Sequence, residues 1–354
     1  MKKLVATAPR VAALAEYTDR AIHDDEVRVK VEFASPKHGT ELSDFRDVTP
    51  FKDGKFDETW RVFLPREPQE PRGIEFGDLP LGNMFVGTIV EKGSAVTDYA
   101  VGDRVCSYGQ IRETEIVRAV GNYKLRKMSP EASAKNAVCY DPAQFALCGV
   151  RDADIRPGDN VAVFGLGAIG LIALQLAVKA GAACVIGIDP IGLRRDVAKR
   201  LGAHYTLDPT ACDAGLEIKR LTDKAGADAI IEASGSVQGL QAALRGLAYR
   251  GTIAYVAFAK PFPAGLWLGQ EGHFNQGRII FSRACSEPLP EYPRWTRKRI
   301  EDTVWNMLMN GYLNCEDIIH PVIPFETCAE GFCRYVDREP ELSIKLGVAF
   351  GGGL

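Results

Sequence analysis

The stretch Asn160–Asp189, NVAVFGLGAIGLIALQLAVKAGAACVIGID, decides the fold of this chain. The β-branched and aromatic segment Val161–Phe164 predicts a short strand that runs into a glycine-rich turn. A run of helix-forming residues, Leu171–Lys179, follows the turn. A second predicted strand, Cys184–Ile188, ends at Asp189. This strand–turn–helix–strand order is typical of a dinucleotide-binding unit, although an ordinary glycine-rich βα turn shares part of it.

The glycines of the turn, Gly165, Gly167 and Gly170, have the spacing G-x-G-x-x-G. Gly165 can adopt the tight turn from strand to helix, and Gly167 lets a pyrophosphate approach the backbone. Gly170 lets the helix pack closely on the strand. The first helical residues, Ala168 and Ile169, present unpaired N–H groups to the phosphates. We therefore predict that all five residues bind the cofactor.

Asp189 lies nineteen residues after Gly170, where a carboxylate can accept hydrogen bonds from the adenosine ribose diol. The same carboxylate would repel a 2′-phosphate, so the sequence favours NAD over NADP. Arg194 and Arg195 follow closely and weaken this preference. These arginines could also cover the adenine or face solvent.

The region around this stretch alternates between predicted strands and helices, which indicates a doubly wound parallel sheet in an α/β protein. We predict this Rossmann domain over residues 151–285. Ligands bind at the carboxyl ends of parallel strands, so Arg283, at the end of the last strand, is a candidate cofactor or substrate contact. The predicted strands are Val161–Phe164, Cys184–Ile188, Tyr205–Leu207, Ala229–Glu232, Thr252–Val256 and Ile279–Ser282.

The first part of the chain has closely spaced short strands instead, such as Val27–Phe33, Phe85–Val90 and Asp103–Tyr108. This pattern predicts a small barrel or sandwich over residues 1–150, and the segment 286–354 is too short for a third domain and most simply completes it. The polar stretch Thr49–Gly77 contains five aromatic residues, so we predict a folded insertion or a lid.

Composition limits the classes of partner. The 354 residues carry a net charge of −3, which argues against nucleic acid and anionic membranes. The chain has no apolar run of the roughly 18 residues that a transmembrane span requires. Nine cysteines without a C-x-x-C motif indicate reduced thiols in a cytoplasmic protein.

The segment Gly82–Val96, GNMFVGTIVEKGSAV, is followed by the G-D-x-V motif Gly102–Val105. These glycine spacings resemble those of the medium-chain dehydrogenase/reductase superfamily, the group of zinc alcohol and polyol dehydrogenases. The resemblance implies a GroES-like catalytic domain, a Rossmann domain and an active-site cleft between them. It also implies a small-molecule substrate, cofactor contacts at Ser234 and Gly235, and a homodimer or homotetramer paired through the edge strand Ile279–Ser282.

The positions of the zinc ligands depart from the family pattern. His38 replaces the first cysteine, Asn83 replaces the histidine of G-H-E, and Asp141 falls at the third position. Only Cys106 lies where the structural zinc would need four cysteines. Catalytic zinc needs three protein ligands and an open position, so we predict no metal, with a reworked site at His38 and Asp141 as the alternative.

Without zinc, a side chain must exchange the hydroxyl proton directly. His38 is the predicted acid–base group, Asp141 orients it, and Lys37 polarises the carbonyl oxygen. The alternatives are a loop histidine bonded to backbone and an aspartate that caps a helix. The predicted substrate contacts are Thr40, Asn83, Tyr108, His273 and Asn275.

These features predict an NAD-dependent oxidoreductase that interconverts a secondary alcohol and a ketone on a sugar, polyol or cyclitol. A zinc-independent enoyl or quinone reductase is the alternative within the superfamily. A nucleotide-binding protein without catalysis is the alternative outside it.

Overall fold

The computed structural model describes residues 1–258, 261–262 and 264–351. In these ranges the strands are β1 (Lys2–Ala8), β2 (Val11–Glu16), β3 (Glu26–Ser35), β4 (Gly54–Asp57), β5 (Val62–Pro65), β6 (Leu79–Pro80), β7 (Met84–Lys92), β8 (Arg104–Tyr108), β9 (Thr114–Arg118), β10 (Arg126–Met128), β11 (Asn160–Phe164), β12 (Cys184–Ile188), β13 (Tyr205–Leu207), β14 (Ala227–Glu232), β15 (Leu247–Tyr255), β16 (Arg278–Phe281), β17 (Ile319–Pro324) and β18 (Lys345–Ala349).

The α-helices in the same ranges are α1 (Thr40–Phe45), α2 (Ala134–Ala137), α3 (Tyr140–Asp152), α4 (Ala168–Lys179), α5 (Gly192–Arg200), α6 (Ala214–Leu221), α7 (Val237–Gly246), α8 (Glu271–Phe274), α9 (Arg297–Met309) and α10 (Cys328–Gly331). A π-helical segment, Phe332–Arg338, continues α10. No helix of the described part of the chain is long and apolar enough to cross a membrane.

The chain forms two compact units: the first comprises residues 1–134 and 320–354, and the second residues 135–319. The sequence predicts the boundaries instead at 150/151 and 285/286, where the alternation of strands and helices begins and ends. The two divisions differ because α3 and α9 lie outside that alternation but belong to the second unit, where α3 packs on α4 and α9 packs on α3.

The second unit contains the doubly wound parallel sheet that the sequence predicts. Its strand order is β13-β12-β11-β14-β15-β16, and every neighbouring pair is parallel. Strands β12 and β13 lie on one side of β11, and β14 to β16 lie on the other. The strand order therefore reverses between β11 and β14, and the loops that follow these two strands diverge there. The central strands are buried on both faces, which explains their continuous apolar runs.

The first unit is a mostly antiparallel GroES-like assembly. One sheet has the order β10-β8-β7-β3-β18-β17, with β9 also paired to β3, and a smaller sheet has the order β2-β1-β6. Strand β18 returns from the end of the chain to pair with β3. A buried apolar cluster, which includes Phe45, Phe85 and Phe332, fills this unit.

The predicted insertion contains a separate two-stranded hairpin of β4 and β5. Its aromatic rings contact one another, with Phe63 lying 5.6 Å from Phe51 and 5.4 Å from Phe56, centroid to centroid. Trp60, at the hairpin tip, is exposed. The stretch is therefore folded, and whether it acts as a lid stays a prediction.

Candidate functional site

A cavity of about 850 Å³ opens at the carboxyl edge of the parallel sheet in the second unit. Its walls come from the glycine-rich turn after β11, the end of β12, the loop after β13 and the first turns of α7. The volume is typical of a site for a cofactor. The predicted cofactor residues that line it are Gly165, Gly167, Asp189, Arg194 and Ser234.

The three glycines of the turn meet different surroundings. Gly165 has φ +84°, and a Cβ there would lie 2.6 Å from the backbone nitrogen of Ser234. A Cβ on Gly170 would lie 1.9 Å from the carbonyl oxygen of Gly165. Gly167 has no atom within 4 Å of its Cβ position, which leaves space for a phosphate, and Ala168 and Ile169 follow it in the first turn of α4.

Asp189 is 3% exposed and already accepts two backbone hydrogen bonds. Its Oδ2 accepts from the N–H of Leu166 at 2.8 Å, and its Oδ1 accepts from the N–H of Ile191 at 2.9 Å. Each carboxylate oxygen keeps a further lone pair for a ribose hydroxyl. Arg194 Nη1 lies 3.7 Å from Oδ2, so this arginine partly neutralises the carboxylate, while Arg195 donates to the Asp189 carbonyl oxygen at 2.7 Å.

Glu232, which the sequence analysis did not single out, shapes the neighbouring turn. It ends β14, is fully buried, and accepts hydrogen bonds from the backbone and hydroxyl of Ser234 and from the N–H of Gly235. Burial raises the pKa of its carboxyl group above the usual range, although these hydrogen bonds oppose the shift. An acid at the end of an apolar strand is the signal that could have identified it.

The structure separates His273 and Asn275 from this cavity. Both belong to the segment that enters β16, and the carbonyl oxygen of Asn275 accepts a hydrogen bond from the N–H of Arg250, near the start of β15. They therefore lie at the amino edge of the parallel sheet and do not line the cavity, and their contact with substrate stays a prediction. Arg283 does follow the carboxyl end of β16, where it donates to Ser286 Oγ at 3.1 Å.

In the first unit, several candidate residues gather at one end of three paired strands. Strand β3 ends at Ser35, which pairs with Met84 at the start of β7, and Met84 pairs with Tyr108 at the end of β8. The turn with Lys37, His38 and Thr40 follows β3 directly, and Asn83 precedes β7. The fold thus brings together residues that are up to 71 positions apart.

The geometry of His38 differs from the one expected for a free base. Its Nε2 accepts a hydrogen bond from the backbone N–H of Leu346 at 2.9 Å. A neutral imidazole that accepts at Nε2 carries its proton on Nδ1, so proton uptake at Nε2 requires the bond to Leu346 to break. This is the loop histidine bonded to backbone that the sequence left as the alternative, and the acid–base role stays a prediction.

The residues at the family's zinc positions do not fit a zinc ion. Asn83 offers an amide, with a buried Nδ2 that has no hydrogen-bond partner among the described residues, and His38 Nε2 already faces Leu346. Within the same residues, no three His, Cys, Asp or Glu side chains lie close enough to hold a metal. Asp141, 5% exposed in the first turn of α3, belongs to the second unit, so its pairing with His38 stays a prediction.

Two carboxyl groups of the first unit hold backbone next to Asn83, at Gly82 and at Gln110, whose neighbour Gly109 donates to the Asn83 carbonyl oxygen. Glu41 accepts from the N–H groups of Lys37 and Gly82. Glu115, 8% exposed, accepts from the N–H of Gln110 at 2.6 Å. Burial raises the pKa of each carboxyl group to about 7.

A doubly wound parallel sheet with a glycine-rich first turn defines the Rossmann class of dinucleotide-binding folds. A family model for zinc-binding dehydrogenases matches residues 168–287. The chain is 64% identical to D-guloside 3-dehydrogenase of Escherichia coli (strain K12), over 99% of this chain and 100% of that protein.

Two solved structures are similar in fold. Galactitol-1-phosphate dehydrogenase from Escherichia coli aligns with a TM-score of 0.75 at 20% identity, over 99% of this chain and 100% of the other. A Sinorhizobium meliloti 1021 protein bound to NADP aligns with a TM-score of 0.74 at 20% identity, over 98% of both chains. This chain belongs to the medium-chain dehydrogenase/reductase family of zinc-type alcohol dehydrogenases, and it is a dehydrogenase that acts on CH–OH groups.

Two glycine substitutions separate packing from cofactor binding. We expect Gly170→Ala to lower the free energy of unfolding of the second unit by about 2 kcal/mol, because the Cβ has no room beside the Gly165 carbonyl. Gly167 has open space at its Cβ position and a φ of −74°, which alanine adopts readily. Gly167→Ala should therefore leave the free energy of unfolding unchanged but weaken dinucleotide binding, because the added methyl group occupies the space for the phosphate. Thermal unfolding and titration with NAD and NADP measure both effects. Equal stability of the two variants would contradict the packing argument.

Glu115 should make stability depend on pH. Since its folded pKa of about 7 exceeds that of an unfolded glutamate, the native state binds an extra proton between roughly pH 4.5 and 7, and stability falls as the pH rises through this window. Arg112 lowers and Asp19 raises the same pKa. We expect Glu115→Gln to remove this pH dependence, which changes the free energy of unfolding by at most about 3 kcal/mol across the window. Thermal midpoints at several pH values measure the change.

The exposed residue Glu58 provides the matched control, Glu58→Gln. A wild-type pH profile that Glu115→Gln leaves unaltered would show that this carboxyl group titrates normally.

Proposed function

We propose that the chain is an NAD-dependent dehydrogenase that interconverts a secondary hydroxyl and a ketone on a sugar ring, without catalytic zinc. The observation that carries the proposal is the 64% identity to D-guloside 3-dehydrogenase over nearly the full length of both chains. At this level of identity, a glycoside is the substrate class to test first, with C3 as the reacting carbon.

The choice of NAD rests on Asp189. Its buried carboxylate lines the dinucleotide cavity and is held in place by the N–H groups of Leu166 and Ile191. A carboxylate fixed in this way accepts from a ribose diol and repels a 2′-phosphate. Arg194 weakens the repulsion, so we expect a preference for NAD rather than complete exclusion of NADP.

Hydride transfer needs a partner that exchanges the hydroxyl proton. In our proposal, His38 releases the N–H of Leu346, at a cost of about 1 kcal/mol, and then exchanges the proton at Nε2. Lys37, on the same turn, stabilises the developing alkoxide with its ammonium group. Asp141 remains a candidate for orienting the base.

We also propose a cytoplasmic homodimer or homotetramer that binds neither nucleic acid nor membrane. Strand β16 forms the edge of the parallel sheet and pairs only with β15 in the described chain. Phe281 on this strand is 81% exposed. Two copies of an edge strand can pair antiparallel about a twofold axis and bury such side chains.

The hydrogen bond between His38 Nε2 and the N–H of Leu346 favours a second candidate function, a nucleotide-binding protein that lacks catalysis. Such a protein would bind NAD but oxidise no alcohol. The two candidates therefore differ in turnover and agree in cofactor binding.

The cofactor part of the proposal predicts the behaviour of Asp189→Ala. We expect the KM for NAD to rise about tenfold and the KM for NADP to fall, because both the ribose hydrogen bonds and the repulsion are lost. Initial rates of NADH and NADPH formation with a methyl glycoside panel measure both constants. Asp196→Ala, an exposed aspartate of α5, is the control, and an unchanged KM for NAD in Asp189→Ala would refute the ribose contact.

The catalytic part predicts that His38→Ala lowers kcat by roughly 10²-fold, as expected for loss of an acid–base group, while NAD affinity stays unchanged. The measurement is the pH profile of kcat beside NAD titration. Lys37→Met, on the same turn, should lower kcat but keep the pH profile. A fully active His38→Ala variant would remove His38 from the mechanism, and an inactive wild type that binds NAD would establish the second candidate.

A further inference from the structure

Residues 264–271 precede β16, and the first two of them line the dinucleotide cavity. We call this segment the strap. Ala264 and Gly265, at its start, line the same cavity as Gly167 and Asp189. The strap lies along α7. The cavity is therefore lined by the glycine-rich turn and, from a separate part of the chain, by the start of the strap.

The side chain of Gln241, on α7, holds the strap by its backbone. Its Oε1 accepts a hydrogen bond from the N–H of Trp267 at 2.7 Å, and its Nε2 donates to the carbonyl oxygen of Trp267 at 3.4 Å. Gln241 also lines the cavity. One side chain thus joins the strap to the cofactor site.

Arg245 lies one helical turn further along α7 and holds the C-terminal end of the strap. Its Nη1 lies 2.6 Å from Glu271 Oε1, and its Nε lies 2.8 Å from Asp213 Oδ2. Asp213 caps α6 by accepting from the N–H of Leu216 at 3.0 Å, and it lines the cavity as well. The middle and the C-terminal end of the strap are therefore fixed to the same face of α7.

The strap has few other contacts, among them a hydrogen bond from the N–H of His273 to the carbonyl oxygen of Leu268 at 3.1 Å. Leu266 packs against the apolar core of the second unit, whereas Trp267 and Leu268 are 62% and 54% exposed. A segment with few buried apolar contacts opens at a low free-energy cost. The hydrogen bonds of Gln241 are therefore among the few contacts that hold the strap on α7.

We propose that Gln241 is a positioning residue that keeps the strap closed over the adenosine diphosphate half of the cofactor, and that opening of the strap accompanies cofactor release. The inference rests on the proposed dinucleotide function. It assigns the chain a cofactor-retaining element that involves neither the glycine-rich turn nor Asp189.

The test compares the wild-type protein with Gln241→Met, which keeps the side-chain length and loses both hydrogen bonds. Gln241→Glu retains the acceptor for the Trp267 N–H, and Gln69→Met, at an exposed position of the first unit, is the control. Hydrogen exchange of peptides that cover 264–271 reports the strap. Stopped-flow release of NADH, and calorimetric titration with ADP-ribose and with nicotinamide mononucleotide, report the site.

For Gln241→Met we expect faster exchange of the strap, about fivefold faster NADH release and about fivefold weaker ADP-ribose binding, the loss expected for one net hydrogen bond. Binding of nicotinamide mononucleotide should stay unchanged. Gln241→Glu should recover most of the loss of strap protection, and Gln69→Met should match the wild type.

Faster exchange of the strap with unchanged NADH release and ADP-ribose affinity would overturn the proposal, since the strap would then lie outside the cofactor site. Unchanged exchange would also overturn it, because Gln241 would not hold the strap. A wild-type protein that binds neither NADH nor ADP-ribose would instead refute the proposed function itself.

Discussion

The contact between the glycine-rich turn and helix α4 is the constraint on which the second unit depends. A Cβ on Gly170 would lie 1.9 Å from the Gly165 carbonyl oxygen, so the helix can approach the strand this closely only at a glycine. The close approach directs the N-terminus of α4 toward the carboxyl edge of the sheet, where its free N–H groups attract an anion. The position of Gly167, open to the cavity, follows from this packing.

Buried acids then build the site around that turn. Asp189 and Glu232 end the two strands that flank β11, and each accepts backbone N–H groups from a neighbouring turn. Burying a carboxyl group is costly unless hydrogen bonds compensate for the lost hydration. In the first unit Glu41 and Glu115 hold turns in the same way. Several of the cofactor and substrate candidates thus lie on turns that carboxyl groups hold in place.

The sequence predicted the parallel sheet because its strands are short apolar segments between helices of clear periodicity. Cys184–Ile188 and Tyr205–Leu207 have the predicted bounds, and the other strands differ by a few residues at one or both ends. The sequence analysis did not predict α8, so it did not place this segment at either edge of the sheet. His273 and Asn275 precede β16 and therefore lie at the amino edge, away from the cavity.

The sequence pattern did not predict contacts between distant parts of the chain either. The hydrogen bond between His38 and Leu346 joins residues 308 positions apart, and no local pattern predicts it. The link from Gln241 to Trp267 depends on how the strap lies along α7. The sequence thus identified residue types suited to a dehydrogenase, while the partners that restrict or position them came from tertiary packing.

The most direct test of this account is a crystal structure of the protein soaked with NAD, with anomalous data collected at the zinc edge. The account predicts the pyrophosphate beside Gly167, the adenosine ribose hydroxyls within hydrogen-bond distance of Asp189, and no anomalous peak near His38 and Asn83. A zinc peak at those two residues, or a ribose diol remote from Asp189, would contradict it.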